Sequence, residues 1–198
     1  AKLGPKPKTS EFLDPRGGGH YACSVAQSTG GSSGLERLIE AAAERLSERA
    51  EGPVQLRLEQ TLSTPERRNV VLRCALDRPL DGRSSVIIKQ AARGYAPEDA
   101  SRWDTRRLFN EWAGTAFLST LPGEAHAPRF LAGDRASGFV VLEDLGQPHW
   151  SLVQPLLEGS ASDAEHALRL YVRRLARMHG SSMTLLPHHE ALIATLRG

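Results

Sequence analysis

Lysine is scarce in this chain, and its placement points to chemistry. Of 198 residues, 21 are arginine and only 4 are lysine, and Lys2, Lys6 and Lys8 all fall within the first ten positions. The fourth, Lys89, ends the apolar run Val86-Ile87-Ile88-Lys89. An ammonium at such a place on a strand can reach the phosphate oxygens of a nucleotide, provided that a carboxylate holds it extended. Glu111 is the best-placed carboxylate. It lies three residues after Leu108 and seven before Leu118, near the inward stripe of the helix that follows. Glu98 is the fallback. The plainer reading of Glu111 is a flank residue whose carboxylate turns to water.

Other chemistry-bearing groups are weaker. Ser63-Thr64-Pro65-Glu66 reads as a turn between two strands. His188-His189-Glu190 could suggest a metal, but neighbours on a helix do not share a face and no third ligand pattern accompanies them. No metal site is expected. The Gly-x-Ser-x-Gly match at residues 30–34 lies in the arm rather than at the end of a strand, and neither Cys23 nor Cys74 belongs to a nucleophile triad signature. Gly30-Gly31-Ser32-Ser33-Gly34 precedes a helix, yet no strand leads into it and no Lys-Ser/Thr follows, so a linker is the better reading.

The elements that must position Lys89 follow from periodicity. Residues 1–34 lack apolar periodicity and read as a flexible arm or linker. From Leu35 to about Ala50 the spacing of Leu35, Leu38, Ile39, Ala42 and Leu46 predicts a helix. Three strands are expected at 54–61, 69–77 and 85–89, with Asp81-Gly82 punctuating the last connection. A long helix follows from about Glu98 to Leu121, with Leu108, Trp112, Thr115 and Leu118 on one stripe. Two more strands, 129–133 and 139–145, complete an antiparallel set. Beyond Gly146 the pattern is helical. Ser162-Asp163-Ala164-Glu165 reads as a capping box, and Ala164, Leu168, Tyr171, Val172, Leu175 and His179 share the packed face. Arg169, Arg173 and Arg177 lie opposite, on a wet face, and Pro187 to Arg197 reads as a terminal helix. Strands clustered before helices give an α+β class.

Composition excludes several classes. Hydrophobic residues make up 40% and charged residues 24%, as in globular proteins. No apolar run approaches the roughly 20 residues of a membrane span. The net charge of +2 is scattered rather than gathered, so neither a membrane nor a nucleic acid is an expected partner. Two cysteines and no visible signal peptide fit a cytoplasmic protein.

The block Phe139-Val140-Val141-Leu142-Glu143-Asp144-Leu145-Gly146 is more specific. Together with Val86-Ile87-Ile88-Lys89, the helix bearing Glu111, Pro128 to Asp134, and Leu175-Ala176-Arg177-Met178-His179, it resembles the aminoglycoside phosphotransferase and choline-kinase-like branch of the protein-kinase-like fold. The resemblance covers about residues 53 to 183. It implies that residues 35–145 form a kinase-like N-terminal lobe, a five-stranded antiparallel sheet with one long helix, behind a leading helix. Residues 146–198 would be the hinge and the first helices of an incomplete helical second lobe. It further implies that Lys89 and Glu111 are the phosphate-positioning pair and that the backbone of Glu143, Asp144 and Leu145 borders adenine. Ser63 and Thr64 would cover the phosphates, although their turn has none of the glycine that would let backbone close on them. Read from spacing alone, the hinge block is equally a buried strand with an acidic end.

The family transfers the ATP γ-phosphoryl group to a small-molecule hydroxyl with the help of Mg2+. It places its catalytic aspartate in a His-Gly-Asp loop and its metal ligands beyond the hinge. Here Ser181 follows His179-Gly180, the last aspartate is Asp163 and the last asparagine is Asn110. The expectation is therefore an ATP-binding portion without a catalytic residue of its own and inactive by itself. The alternatives are a non-catalytic nucleotide-binding or regulatory module, or a protein-interaction module. An unpaired second-lobe helix face would also favour self-association.

Overall fold

The computed structural model describes residues 32–198 apart from 51, 65, 66, 68, 92, 93, 124, 125 and 147–150. Most of the expected arm, with Cys23 and the glycine clusters before Ser32, lies outside the described residues. So do Pro65 and Glu66 of the first turn, and Gln147 and Pro148 of the expected hinge.

Five helices and one five-stranded antiparallel sheet make up the described residues, in an α+β arrangement. Helix α1 spans Ser32–Ser47, so the last three residues assigned to the arm are helical. Its Leu38, Ala42 and Leu46 recur every four residues and are buried. Strand β1 (Leu56–Thr61) is followed by β2 (Val70–Leu80) and β3 (Arg83–Gln90). The two-residue turn between β2 and β3 places Asp81 at φ 51° and Gly82 at φ 77°. Asp-Gly tolerates that left-handed pair and matches the twist of the strands it joins.

Helix α2 spans Trp103–Leu118 and is shorter at both ends than the apolar pattern predicts. The missing first turn has a side-chain cause. The buried Thr105 hydroxyl donates to the Ala96 carbonyl at 2.9 Å and accepts the Ala96 amide at 3.0 Å, holding residues 96–102 as an irregular approach. Glu98 is exposed in that approach, outside the helix. Strands β4 (Phe130–Asp134) and β5 (Phe139–Glu143) close the sheet in the order β1-β2-β3-β5-β4.

Period-two alternation gives the sheet two apolar faces. Val86 and Ile88 of β3 join Leu72, Cys74, Phe139 and Val141 beneath α1. Ile87, Val140 and Leu142 face the other way, packing with Leu108 and Trp112 of α2. Trp112 stacks on Phe130 and lies against Gly133, where a Cβ would meet its ring at 2.6 Å. Lys89, one residue beyond Ile88, therefore emerges on the α2 side. The layer order is helix, sheet, helix. Cys74, in the α1 core, has its thiol pushed up by burial to about 11 and stays a packing group.

The remaining helices are α3 (Val153–Leu157), α4 (Ala161–Ser182) and α5 (Leu186–Arg197). Helix α5 packs against α2, with His188 and His189 beside the Phe117 ring. Helix α4 packs against α3 and has no buried residue. Two expectations are corrected here. The capping box is built two residues earlier, from Ser160 and Asp163, because the backbone there turns so that Ser160 Oγ accepts the Asp163 amide and Asp163 Oδ2 accepts the Ser160 amide. His179 is exposed rather than packed, because among the described residues no element covers the α4 stripe it continues. No helix among the described residues is long and apolar enough to cross a membrane.

Candidate functional site

Lys89 Nζ lies 2.5 Å from Glu111 Oε1, joining β3 to the middle of α2. The two side chains are 24% and 23% exposed, so the pair is half-sheltered and its outer side stays open to a ligand. The cause is local. Lys89 pairs with Val140 across β3 and β5, and Leu108 packs on Val140 from α2, so Glu111 lies one turn further along the same helix face. The Thr115 hydroxyl donates to the Glu111 carbonyl at 2.8 Å, anchoring the helix there.

In front of Lys89 is a cleft of about 530 Å3 whose polar lining is Ser63, Thr64, Arg67, Asn69, Lys89 and Arg107. Val71, the cross-strand partner of Lys89, supplies an apolar wall. The structure thus places Ser63 and Thr64 in one cleft with the lysine. Ser63 Oγ accepts the Val71 amide at 3.1 Å, and the Thr64 carbonyl accepts the Arg67 amide at 2.9 Å, which shapes the turn into β2. Glu111 lines a smaller pocket adjoining the cleft, shared with Asn69, Asp104, Arg107 and Lys89.

Glu143, Asp144 and Leu145 do not line that cleft. Val86 pairs with Glu143 while Lys89 pairs with Val140, so the acidic end of β5 lies three residues back along β3, about 10 Å from the lysine at 3.3 Å per residue. Both carboxylates are committed within the fold. Glu143 Oε1 accepts from Arg83 at 2.7 and 2.9 Å, and its Oε2 accepts the Arg129 amide at 3.0 Å. Asp144 accepts from the Ser85 hydroxyl at 2.8 Å and the Gly146 amide at 2.9 Å. Arg73 Nε sits 2.8 Å from Asp144 Oδ2 as an ion contact whose N–H is not aligned, while its Nη2 donates to Oδ1 at 3.3 Å. Burial raises the affinity of both carboxyls for protons, but the amide and arginine donors outweigh it and hold both below the ordinary range. What remains for a ligand here is backbone. The Leu145 amide has no hydrogen bond among the described residues, and its side chain is 65% exposed.

Arg67, Asn69 and Arg107 were not singled out from sequence. A signal did exist for Arg107, which stands one helical turn before Glu111 on the same face. Arg67 and Asn69 flank the turn that carries Ser63 and Thr64. Among 21 arginines the type of Arg67 alone carries no distinction. Among the described residues, no group of three His, Cys, Asp or Glu is arranged to hold a metal ion. The lining fits an anion held by cations, hydroxyls and an amide.

Comparison with known proteins returns no match: no family model, no curated protein and no solved structure matches this chain. Any functional reading rests on the residues and their geometry.

Proposed function

We propose that this chain is the ATP-binding portion of a phosphotransferase acting on a small-molecule hydroxyl, with a kinase-like N-terminal lobe formed by β1–β5 and α2. The observation that carries the reading is the Lys89–Glu111 pair, running from the third strand to the following helix and opening on a cleft with Ser63 and Thr64. A lysine so held is a fixed point charge for phosphate oxygens. The strand between Lys89 and Glu143 gives a bound nucleotide its direction, with phosphates at the lysine and base toward the free Leu145 amide.

These residues bind and orient; they do not supply the chemistry of transfer. Magnesium would join the triphosphate in the complete family enzyme. The test is calorimetric titration of the chain with ATP, followed by a coupled assay with ATP, magnesium and an aminoglycoside or choline-like alcohol. Micromolar to millimolar ATP binding without turnover is expected. No detectable ATP binding overturns the reading, and robust turnover overturns the absence of catalytic groups.

A second reading, a protein-interaction module, is favoured by one observation. Leu168, Tyr171 and Val172 of α4 are 43%, 50% and 58% exposed on one face of a helix with no buried residue. A contiguous apolar stripe of this kind draws on burial at about 25 cal/mol per Å2. Self-association through α4 is expected, read as a concentration-dependent sedimentation coefficient. Leu168→Glu combined with Val172→Glu should restore the monomer, and a wild-type chain monomeric at 100-fold higher concentration would argue against it.

A further inference from the structure

The turn between β1 and β2 is built in a way that leaves the phosphates a different kind of holder. Between Leu62 and Asn69 the chain has no glycine, and Pro65 has no amide hydrogen. Backbone that closes on a phosphate needs both glycine's freedom and free amides. The cleft instead carries charge on side chains. Arg67 and Arg107 both line it, from the turn and from α2, and neither has an ion-pair partner among the described residues. Their situation differs from the arginines around the sheet. Arg45 is paired with Asp134, Arg73 with Asp144 and Arg83 with Glu143. Lys89 is already matched by Glu111, so the lysine alone leaves little net positive charge for an anion. Asp104 lies one turn before Arg107 and borders the adjoining pocket, but does not come within ion-pair distance of it.

We propose that Arg67 and Arg107 are a two-sided side-chain clamp for the outer phosphates of a nucleoside triphosphate, replacing a glycine-rich backbone cradle. The proposal rests on the nucleotide reading above and adds which groups distinguish a triphosphate from a monophosphate. Lys89 serves the inner phosphates near the sheet. The two guanidiniums come from different elements, the turn and α2, each with a planar fork of donors suited to phosphate oxygens. Asn69, in the same lining, can donate an amide hydrogen to the same group.

The test is calorimetry on the full chain with ATP, ADP, AMP and inorganic triphosphate, at low and physiological salt. It compares wild type, Arg67→Ala, Arg107→Ala and, as a control on α4, Arg173→Ala. Both cleft arginines are exposed, so the variants should keep the wild-type circular dichroism and melting temperature. Each cleft variant is expected to weaken ATP about 10-fold and AMP less than about 2-fold, with weaker salt dependence, while Arg173→Ala changes nothing. Lys89→Ala should weaken all three nucleotides. If both arginine variants bind ATP like wild type while Lys89→Ala loses it, the clamp is wrong and the nucleotide reading stands. If inorganic triphosphate binds as tightly as ATP and the arginine variants lose both, the clamp stands and the nucleotide reading falls. A wild-type chain that binds neither overturns both.

Discussion

Lys89→Ala is expected to weaken ATP binding by about 10- to 100-fold. A charge-assisted hydrogen bond to phosphate contributes about 1.5–3 kcal/mol, and each 1.4 kcal/mol is a factor of ten. The change also leaves the Glu111 carboxylate, only 23% exposed, facing the phosphates without its counter-charge. That repulsion pushes the loss toward the upper end. Lys89→Met separates charge from volume, and it should lose as much affinity as the alanine variant while keeping more of the packing beside Val71. Glu111→Gln should cost less, because the ammonium remains and only its anchoring is weakened. Arginine at position 89 should not rescue binding fully, since a planar guanidinium cannot take the compact ammonium position against Glu111. An alanine variant that binds ATP like wild type would remove Lys89 from the site altogether.

The largest stability effect is expected at the other end of β3. Asp144 ties Arg73 of β2, Ser85 of β3 and the Gly146 amide into one cluster, with the Asp144 side chain 6% and the Arg73 side chain 16% exposed. Removing one partner of such a pair leaves the other charge sheltered and unmatched, which costs about 3–5 kcal/mol when burial is complete. Asp144→Ala should therefore cost about 2–4 kcal/mol, read as a fall in melting temperature of roughly 5–15 °C for a chain of this size. Adding Arg73→Ala should recover part of the loss, because the uncompensated guanidinium goes with it. A wild-type melting temperature in Asp144→Ala would show that the cluster is surface decoration.

The same carboxylate predicts a direction with pH. Its folded proton affinity lies below the ordinary value of 3.8, since the donors from Gly146, Ser85 and Arg73 outweigh burial. A group depressed on folding stabilises the folded chain above its unfolded value. That contribution declines as pH falls from about 4–5 through the folded value. Acid melting of wild type should show the decline, and Asp144→Ala should show less of it.

The elements were legible in the sequence where local pattern and packing agree. Strands at Val70–Leu80, Arg83–Gln90 and Phe139–Glu143 alternate or run apolar; the first two pair as their short connection suggests, whereas Phe139–Glu143 pairs with Arg83–Gln90 across α2 and β4, an order that no local pattern records. Helix α2 was visible but overextended, since Thr105 spends its hydroxyl on Ala96 and no periodicity records that. The cap of α4 was displaced by two residues, because Ser160 and Ser162 are equivalent in type and only backbone geometry chooses between them. His179 was assigned to a packed face on the strength of its stripe. Amphipathicity says that a face wants cover, not that cover is there.

The candidate site divides in the same way. Residue scarcity singled out Lys89, and helical spacing pointed to Glu111, because a unique cation on a strand end and a carboxylate beside an apolar stripe are properties of the chain itself. That they meet at 2.5 Å depends on Leu108 seating α2 on Val140, a contact between segments more than thirty residues apart in sequence. Arg67 and Arg107 show the limit most plainly. In a chain with 21 arginines nothing marks Arg67 and only its spacing from Glu111 hints at Arg107, and only folding separates guanidiniums spent on carboxylates from those left facing a cleft. Composition determined how much positive charge the protein has; tertiary structure decided which charges are cancelled by a neighbour and which remain for a ligand.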